Sequence, residues 1–345
     1  MLKKILKIIA VLLLISLIVG GAAGYYLYQQ IYVPNISEQK KEYELFIPTG
    51  AKFQQVVDSL SKNKILKKTS SFEWVAQQMN YENKIFPGRY IIKRGWNNRE
   101  LVSLLRSGEQ TPLNLTINNI RTKEQLVSLV GQKLEADSVK FAQFLNDSTA
   151  LAAINFTPEN VISVFVSDTY EFWWNTNEKQ FFDRMLKEYN KFWTEKRVAQ
   201  AKERNLTPFE AITLAAIVEE ETLKTDEMPR VAGVYLNRLR KEWPLQADPT
   251  VKFAVGDFTL RRILKKHLEI ESPYNTYQNV GLPPGPIRIP MKKAIEAVLN
   301  SETHKYMFFC AKEDFSGYHN FAVNLREHNI NARKYQRELN RRKIK

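Results

Sequence analysis

The sequence predicts an α+β protein: an N-terminal transmembrane helix, a small α/β module, then a mainly helical domain with irregular loops and short strands. Three observations carry this expectation. An uncharged apolar run opens the chain, strand–turn–helix signatures fill residues 42–115, and helical periodicity broken by Pro- and Gly-rich stretches fills 116–345. With 345 residues, 44% hydrophobic and 12% aromatic, the chain has core material for roughly two to three domains and is neither disordered nor of low complexity.

Lys3, Lys4 and Lys7 precede a stretch free of charge from Ile8 onward, and the next charged residue is Glu38. A helix over residues 8–28 would cross about 30 Å of hydrocarbon. By the positive-inside tendency, residues 1–7 stay in the cytoplasm and the body lies on the periplasmic or extracellular side of the cytoplasmic membrane. Tyr25, Tyr26, Tyr28 and Tyr32 then fall at the outer interface. Gly20, Ala22 and Ala23 also suit a cleaved signal peptide, but the apolar core of such peptides is usually about 7–15 residues, shorter than this run. An uncleaved single-pass anchor is therefore expected.

Lys and Arg number 51 against 37 Asp and Glu, a formal charge of +14 that calls for an acidic partner. Nucleic acid is not expected, because the body lies outside the cytoplasm. The single cysteine allows no internal disulfide and no Cys-based zinc cage. Cys310, behind Met307, Phe308 and Phe309, reads as a small buried hydrophobe. The sequence has no P-loop, dinucleotide glycine cluster, Gly-x-Ser-x-Gly elbow or metal-spaced histidine pair, so neither cofactor nor metal is expected.

Within 42–115, Phe46-Ile47-Pro48 reads as a short strand and Thr49-Gly50 as a turn. Phe53, Val56, Val57 and Leu60 recur at helical spacing, and Phe72, Trp74, Val75 and Met79 suggest a second helix. Gly88–Lys93 is strand-like, and after Gly95 a helix carries Leu101, Leu104 and Leu105 and closes at Gly108. Beyond Thr116 the pattern turns helical. Thr122 and Gln125 form a capping box, and further apolar helices lie near 141–145 and 181–192. The segment from Val164 to Asn177 reads as an aromatic-dense loop. Its Tyr170, Phe172, Trp173 and Trp174 serve either as stacking platforms for sugar rings or as packing.

The chemistry concentrates after residue 205. Thr207-Pro208-Phe209-Glu210 is a helix start with a Thr cap, Pro in the first turn and Glu three residues on. The helix over 208–222 is apolar almost all round, then meets Glu219, Glu220, Glu221 and Thr222. A helix C-terminus favours cations. Three carboxylates there are either a solvated charge run, or they include one carboxyl held against apolar surroundings with a raised pKa, the state a general acid needs. Spacing does not choose among the three.

A second helix, from about Pro229 to Arg240, places Val231, Val234, Tyr235 and Leu239 on one face. Pro244–Val251 reads as irregular, with a turn at Asp248-Pro249, and Tyr274–Pro290 packs four prolines and two glycines into a rigid loop. Hydrogen-bonded structural roles are expected for His319 and His328. From Arg333, the residues Lys334, Arg337, Arg341, Arg342, Lys343 and Lys345 make a basic tail. It reads as a solvated helix end or a contact for anionic lipid or wall polymer.

Five phrases occur in order: LAAIVEEET (214–222), VAGVYLNRL (231–239), LQADPTV (245–251), YNTYQNVGLPPGPI (274–287) and GYHNF…EHN (317–329). Together they resemble the YceG/MltG family of endolytic murein transglycosylases. The phrase GRYIIKRGWNNRELVSLLRSG (88–108) resembles a LysM-like module, a small fold that grips N-acetylated glycans; the module would span 42–115 and a YceG-like catalytic domain 116–345. The family resemblance implies cleavage of the MurNAc–GlcNAc β-1,4 bond within nascent peptidoglycan strands, leaving 1,6-anhydro-MurNAc ends. It carries the catalytic role onto Glu221, second carboxylate of a Glu-x-Glu-Thr phrase, with Glu219 in support. Glu220 stands where relatives often have Lys, an extra negative charge expected to raise the Glu221 pKa further. Val166-Ser167-Asp168-Thr169 departs from the family's Phe-Pro-Asp-Thr. Gln246, Asp248, Tyr274, Asn275, Tyr277 and His319 are the candidate sugar contacts. Expected partners are peptidoglycan glycan strands, the cytoplasmic membrane through residues 8–28, and peptidoglycan synthases of the elongation machinery. A hydrolase releasing reducing ends and a non-catalytic glycan-binding scaffold are the competing readings.

Overall fold

The computed structural model describes residues 1–260 and 262–342. It is a mixed helix-and-strand chain that divides into two compact units, residues 1–114 with 171–176, and residues 115–170 with 177–345.

The first unit begins with α1 (Leu2–Tyr32), one uninterrupted helix long and apolar enough to cross a membrane. It runs past both ends of the expected 8–28 span, since the flanking lysines and tyrosines are compatible with a helix. Strand β1 (Glu42–Ile47) sends Tyr43, Leu45 and Ile47 inward. It is followed by α2 (Phe53–Lys62), α3 (Thr69–Gln78), β2 (Gly88–Lys93) and α4 (Asn98–Ser107). β1 pairs antiparallel with β2, Glu42 opposite Lys93 and Ile47 opposite Gly88. Val56, Val57 and Leu60 of α2, Phe72 and Val75 of α3, and Leu101, Val102 and Leu105 of α4 close a core over this hairpin. These are the apolar positions of the helical periodicity. Asn97 caps α4 and Gly108, at φ +72°, ends it in the left-handed conformation that glycine adopts without penalty.

The chain passes into the second unit within β3 (Leu113–Ile117) and continues with α5 (Lys123–Lys133), α6 (Ser138–Phe144) and α7 (Ser148–Ala152). Thr122 caps α5, accepting from the Gln125 N–H, while the Gln125 side chain turns back to the Arg121 N–H. The expected aromatic loop at 164–177 contains a strand instead: β4 (Asp168–Phe172), paired with β3. Alternation puts Tyr170 and Phe172 inside, so these two are packing residues, while Trp173 stays exposed. Next come α8 (Glu178–Phe192), α9 (Glu195–Glu203), α10 (Pro208–Glu221) and α11 (Met228–Arg240).

α12 (Asp248–Val255) corrects the turn expected at Asp248-Pro249. Proline in the first turn of a helix forfeits no hydrogen bond, so the same dipeptide that reads as a turn starts a helix here. After α13 (Lys265–Leu268) the Pro-rich loop leads into α14 (Lys292–Leu299). β5 (Phe308–Ala311) and β6 (His319–Ala322) form an antiparallel hairpin with Ala311 opposite His319. Cys310 lies on β5, half-buried rather than in the core. α15 (Leu325–Arg341) buries no residue, and Lys343 and Lys345 of the basic tail lie outside the described residues. At the centre stands α10, every residue from Ala211 to Glu219 buried among α11, α14 and their neighbours.

Candidate active site

α10 starts where its capping chemistry places it. The Thr207 hydroxyl accepts from the Glu210 N–H, the Glu210 carboxylate accepts from the Thr207 N–H at 2.8 Å, and Pro208 fills the first turn. Fourteen residues later the helix stops and Thr222 is extended. The three terminal carboxylates point about 100° apart around the axis, so each meets different neighbours.

Glu219 is 2% exposed; it accepts from the Met291 N–H at 2.6 Å and pairs with Arg288 at 3.0 Å. Burial holds its pKa above the ordinary value against both of those partners. Glu220 pairs with Arg121 at 2.8 Å and with Arg288. Arg288 therefore joins two carboxylates, and its other contact is the Asn119 side-chain oxygen at 3.2 Å. Glu221 accepts a 2.7 Å hydrogen bond from the Tyr235 hydroxyl of α11. Burial pushes its pKa up to about 7. The Tyr235 bond pulls it down, the nearby Asp248 charge raises it and the Arg238 guanidinium lowers it. Glu220 also raises it, more weakly than these. The acidic run is thus no solvated face: all three carboxyls are enclosed and individually partnered.

Two loops form the surroundings of Glu221. Arg238 is buried and donates to the Met307 and Leu245 carbonyls, fixing the start of the 245–247 segment. That segment is tied to the 274–277 loop: Gln246 N–H to the Thr276 carbonyl at 3.0 Å, Ala247 N–H to the Thr276 hydroxyl at 3.1 Å, and the Thr250 and Thr276 hydroxyls 2.8 Å apart. Gln246 is exposed and held at φ +50°. Asp248, also exposed, accepts a 2.6 Å bond from the Tyr277 hydroxyl. Asp248 and Tyr277 thus lie close enough to Glu221 to act on its charge, and Gln246 sits two residues before Asp248.

The other candidates stand differently. Asn275 is fully buried, its amide nitrogen donating to the Leu268 and Ile270 carbonyls at 3.0 and 2.9 Å while its oxygen accepts from the Tyr277 N–H. It holds the loop and has no atom left for a ligand. Tyr274 packs against Phe253 with the rings tilted by 45° and centroids 4.7 Å apart, and lines a cleft of about 340 Å³ with Arg121, Lys123 and Glu159. Gly285 lets the Pro-rich loop close over this cleft, because a Cβ there would lie 2.0 Å from the Glu159 carbonyl oxygen. His319 bonds the buried Glu227 twice, through its N–H at 2.8 Å and through Nδ1 at 2.7 Å. A carboxylate only accepts, so Nδ1 carries the proton. Glu227 also accepts from Thr222, at 3.3 Å, and Phe309 packs between His319 and Tyr235.

Five residues of this arrangement went unread in the sequence: Tyr235, Arg238, Arg121, Arg288 and Glu227. Only Tyr235 carried a signal, a hydroxyl on an apolar helix face that burial obliges to find a partner. Among the described residues no group of three or more His, Cys, Asp or Glu is placed to hold a metal ion.

The YceG-like family model matches residues 45–334. A Bacillus subtilis protein named endolytic murein transglycosylase is 28% identical, aligned over 92% of this chain and 91% of its own length. A Streptococcus pneumoniae protein of the same name is also 28% identical, and the alignment covers 94% of this chain but 65% of that protein. Among solved structures, the 2.6 Å crystal structure of a YceG-like protein from Listeria monocytogenes superposes with a TM-score of 0.57 at 26% identity, covering 85% of this chain and 99% of the other.

Proposed function

The chain belongs to the YceG-like family, and from that premise we propose that it is a membrane-anchored endolytic murein transglycosylase with Glu221 as its general acid and base. The observation that carries this reading is the Glu221 carboxyl, at the end of a buried helix, with a pKa near 7 and one oxygen committed to Tyr235. A carboxyl poised there is available as acid and, once ionised, as base.

The reaction follows from one group used twice. Glu221 gives its proton to the glycosidic oxygen as the bond to the MurNAc anomeric carbon breaks. The ionised carboxylate then takes the proton of the MurNAc C6 hydroxyl, whose oxygen closes onto that carbon to leave a 1,6-anhydro end. A retaining hydrolase needs a second carboxylate about 5–5.5 Å away as nucleophile; here the substrate's own hydroxyl takes that place. Glu219 supports by fixing the helix end through Met291 and Arg288. Gln246, Asp248, Tyr277 and Tyr274 contact the glycan, and His319, braced by Glu227, borders it.

Residues 1–7 lie in the cytoplasm, 8–28 span the membrane, 42–115 form a LysM-like glycan-binding module and 116–345 the catalytic domain. The strand–helix–helix–strand order over a single core supports the LysM-like assignment, and α1 supports the anchor.

Mass spectrometry of peptidoglycan digested by the purified protein and by its Glu221→Gln variant tests the reading. Anhydro-ended fragments from the wild type, with a loss of roughly a thousandfold in the variant, are expected. Reducing-end fragments would make the enzyme a hydrolase; no fragments from either protein, with strand binding intact, would make it a scaffold.

A further inference from the structure

α1 enters the first unit without a linker. The Asn98 amide donates to the Gln30 carbonyl at 2.8 Å, and the Arg99 guanidinium donates to the Tyr32 hydroxyl at 2.6 Å. Just beyond, the Asn35 and Ile36 N–H groups bond the Trp96 carbonyl, and the Asn35 side chain joins Lys68 and Asn98. The last turn of the apolar helix is part of a folded body, so its height above the hydrocarbon follows from the helix itself. Tyr32 lies five residues past Leu27, about 7.5 Å along the axis, whereas the headgroup zone of one leaflet is roughly 5–7 Å deep. Arg99, bonded to Tyr32, therefore stands at the outer edge of the headgroup layer.

The segments that meet the helix end are 34–42, 66–69 and 93–100. They carry Lys40, Lys41, Lys67, Lys68, Lys93, Arg94 and Arg99 against Glu38, Glu42 and Glu100. All seven basic side chains are exposed, and Glu38 is already paired with Lys67 at 2.7 Å. The opposite end of the β1–β2 hairpin, at Ile47 and Gly88, lies five residues further on, roughly 17 Å along the strand. We propose that the Asn35–Arg99 end of the first unit rests on the outer headgroup layer and that its exposed lysines and arginines bind anionic phospholipid headgroups. The inference rests on the reading of α1 as a membrane anchor.

The test uses the full chain in nanodiscs, carrying Cys310→Ser and a single nitroxide-labelled cysteine at Val19, Ser70 or Gln54. Relaxation by headgroup-tethered nickel chelates is expected to be strong at Ser70, at the start of α3, and weak at Gln54, which follows the distal end of β1. Equal relaxation at both positions, or none at Ser70, overturns the placement. The Val19 label tests the anchor separately: contact with aqueous reagents there removes the membrane reading itself, and with it this one. For the lipid chemistry, headgroup-photoreactive phosphatidylglycerol is expected to crosslink severalfold more than its phosphatidylcholine counterpart. Lys68→Glu and Arg99→Glu should each cut that preference about fivefold or more, with thermal melting by circular dichroism showing the fold retained. A wild type with no preference, or a preference unmoved by both reversals in folded protein, overturns the assignment to anionic headgroups.

Discussion

Glu221 sits between opposing influences, and the balance makes its protonation testable. Burial favours the neutral form while the Tyr235 hydrogen bond favours the anion, leaving the pKa about 7. The proposed first step needs the proton, so activity should fall as pH rises through that value. Removing the Tyr235 hydroxyl removes a pKa-lowering contact. Tyr235→Phe should therefore keep Glu221 protonated to higher pH and move the alkaline limb of the pH–rate profile upward, with a lower maximum. Arg288 gives a second test of the same cluster, since its guanidinium serves both Glu219 and Glu220. Arg288→Met would leave the buried Glu219 without its ion-pair partner and Glu220 with Arg121 alone, and should cost about 3–5 kcal/mol. The urea midpoint reads that loss, and adding Glu220→Gln should return part of it.

The start of α10 was legible in the sequence because its cap is local, Thr207 and Glu210 three residues apart. Its end was not. The arginines that partner Glu220 come from 99 residues before it and 68 residues after it, separations at which no periodicity speaks. The same contrast divides the loops. The Pro-rich 274–290 segment reads as irregular and is so, whereas Asp248-Pro249 serves turns and helix starts alike, and only packing chooses. Local polarity also misassigned Asn275, which reads as a sugar contact but has its whole amide spent on the loop. Asn275→Ala should therefore act through positioning. The Ile270 carbonyl and the Tyr277 N–H lose their side-chain partner and the Leu268 carbonyl keeps only Gln278, about 1–3 kcal/mol. Tyr277 and Asp248 should lose their alignment, seen as a lower kcat at nearly unchanged strand binding.

One core lies under α2, α3 and α4 and another around α10 and α11, helices whose apolar spacing was read in the sequence, and α1 was read from its lack of charge. What spacing did not reveal is how that helix is joined. Asn98, 1% exposed, links Gln30 of α1, Ser71 of α3 and Asn35 through one amide. Asn98→Ala should lower stability by about 1–3 kcal/mol and lower the melting temperature of the nanodisc-bound protein. A joint of this kind has a mechanical consequence. An anchor on a flexible tether lets its cargo stay upright whatever the bilayer does. An apolar helix accommodates a bilayer thinner than its hydrophobic stretch by leaning. With α1 as the proposed anchor, the first unit must lean with it, so a thinner membrane becomes an angle imposed on a folded body.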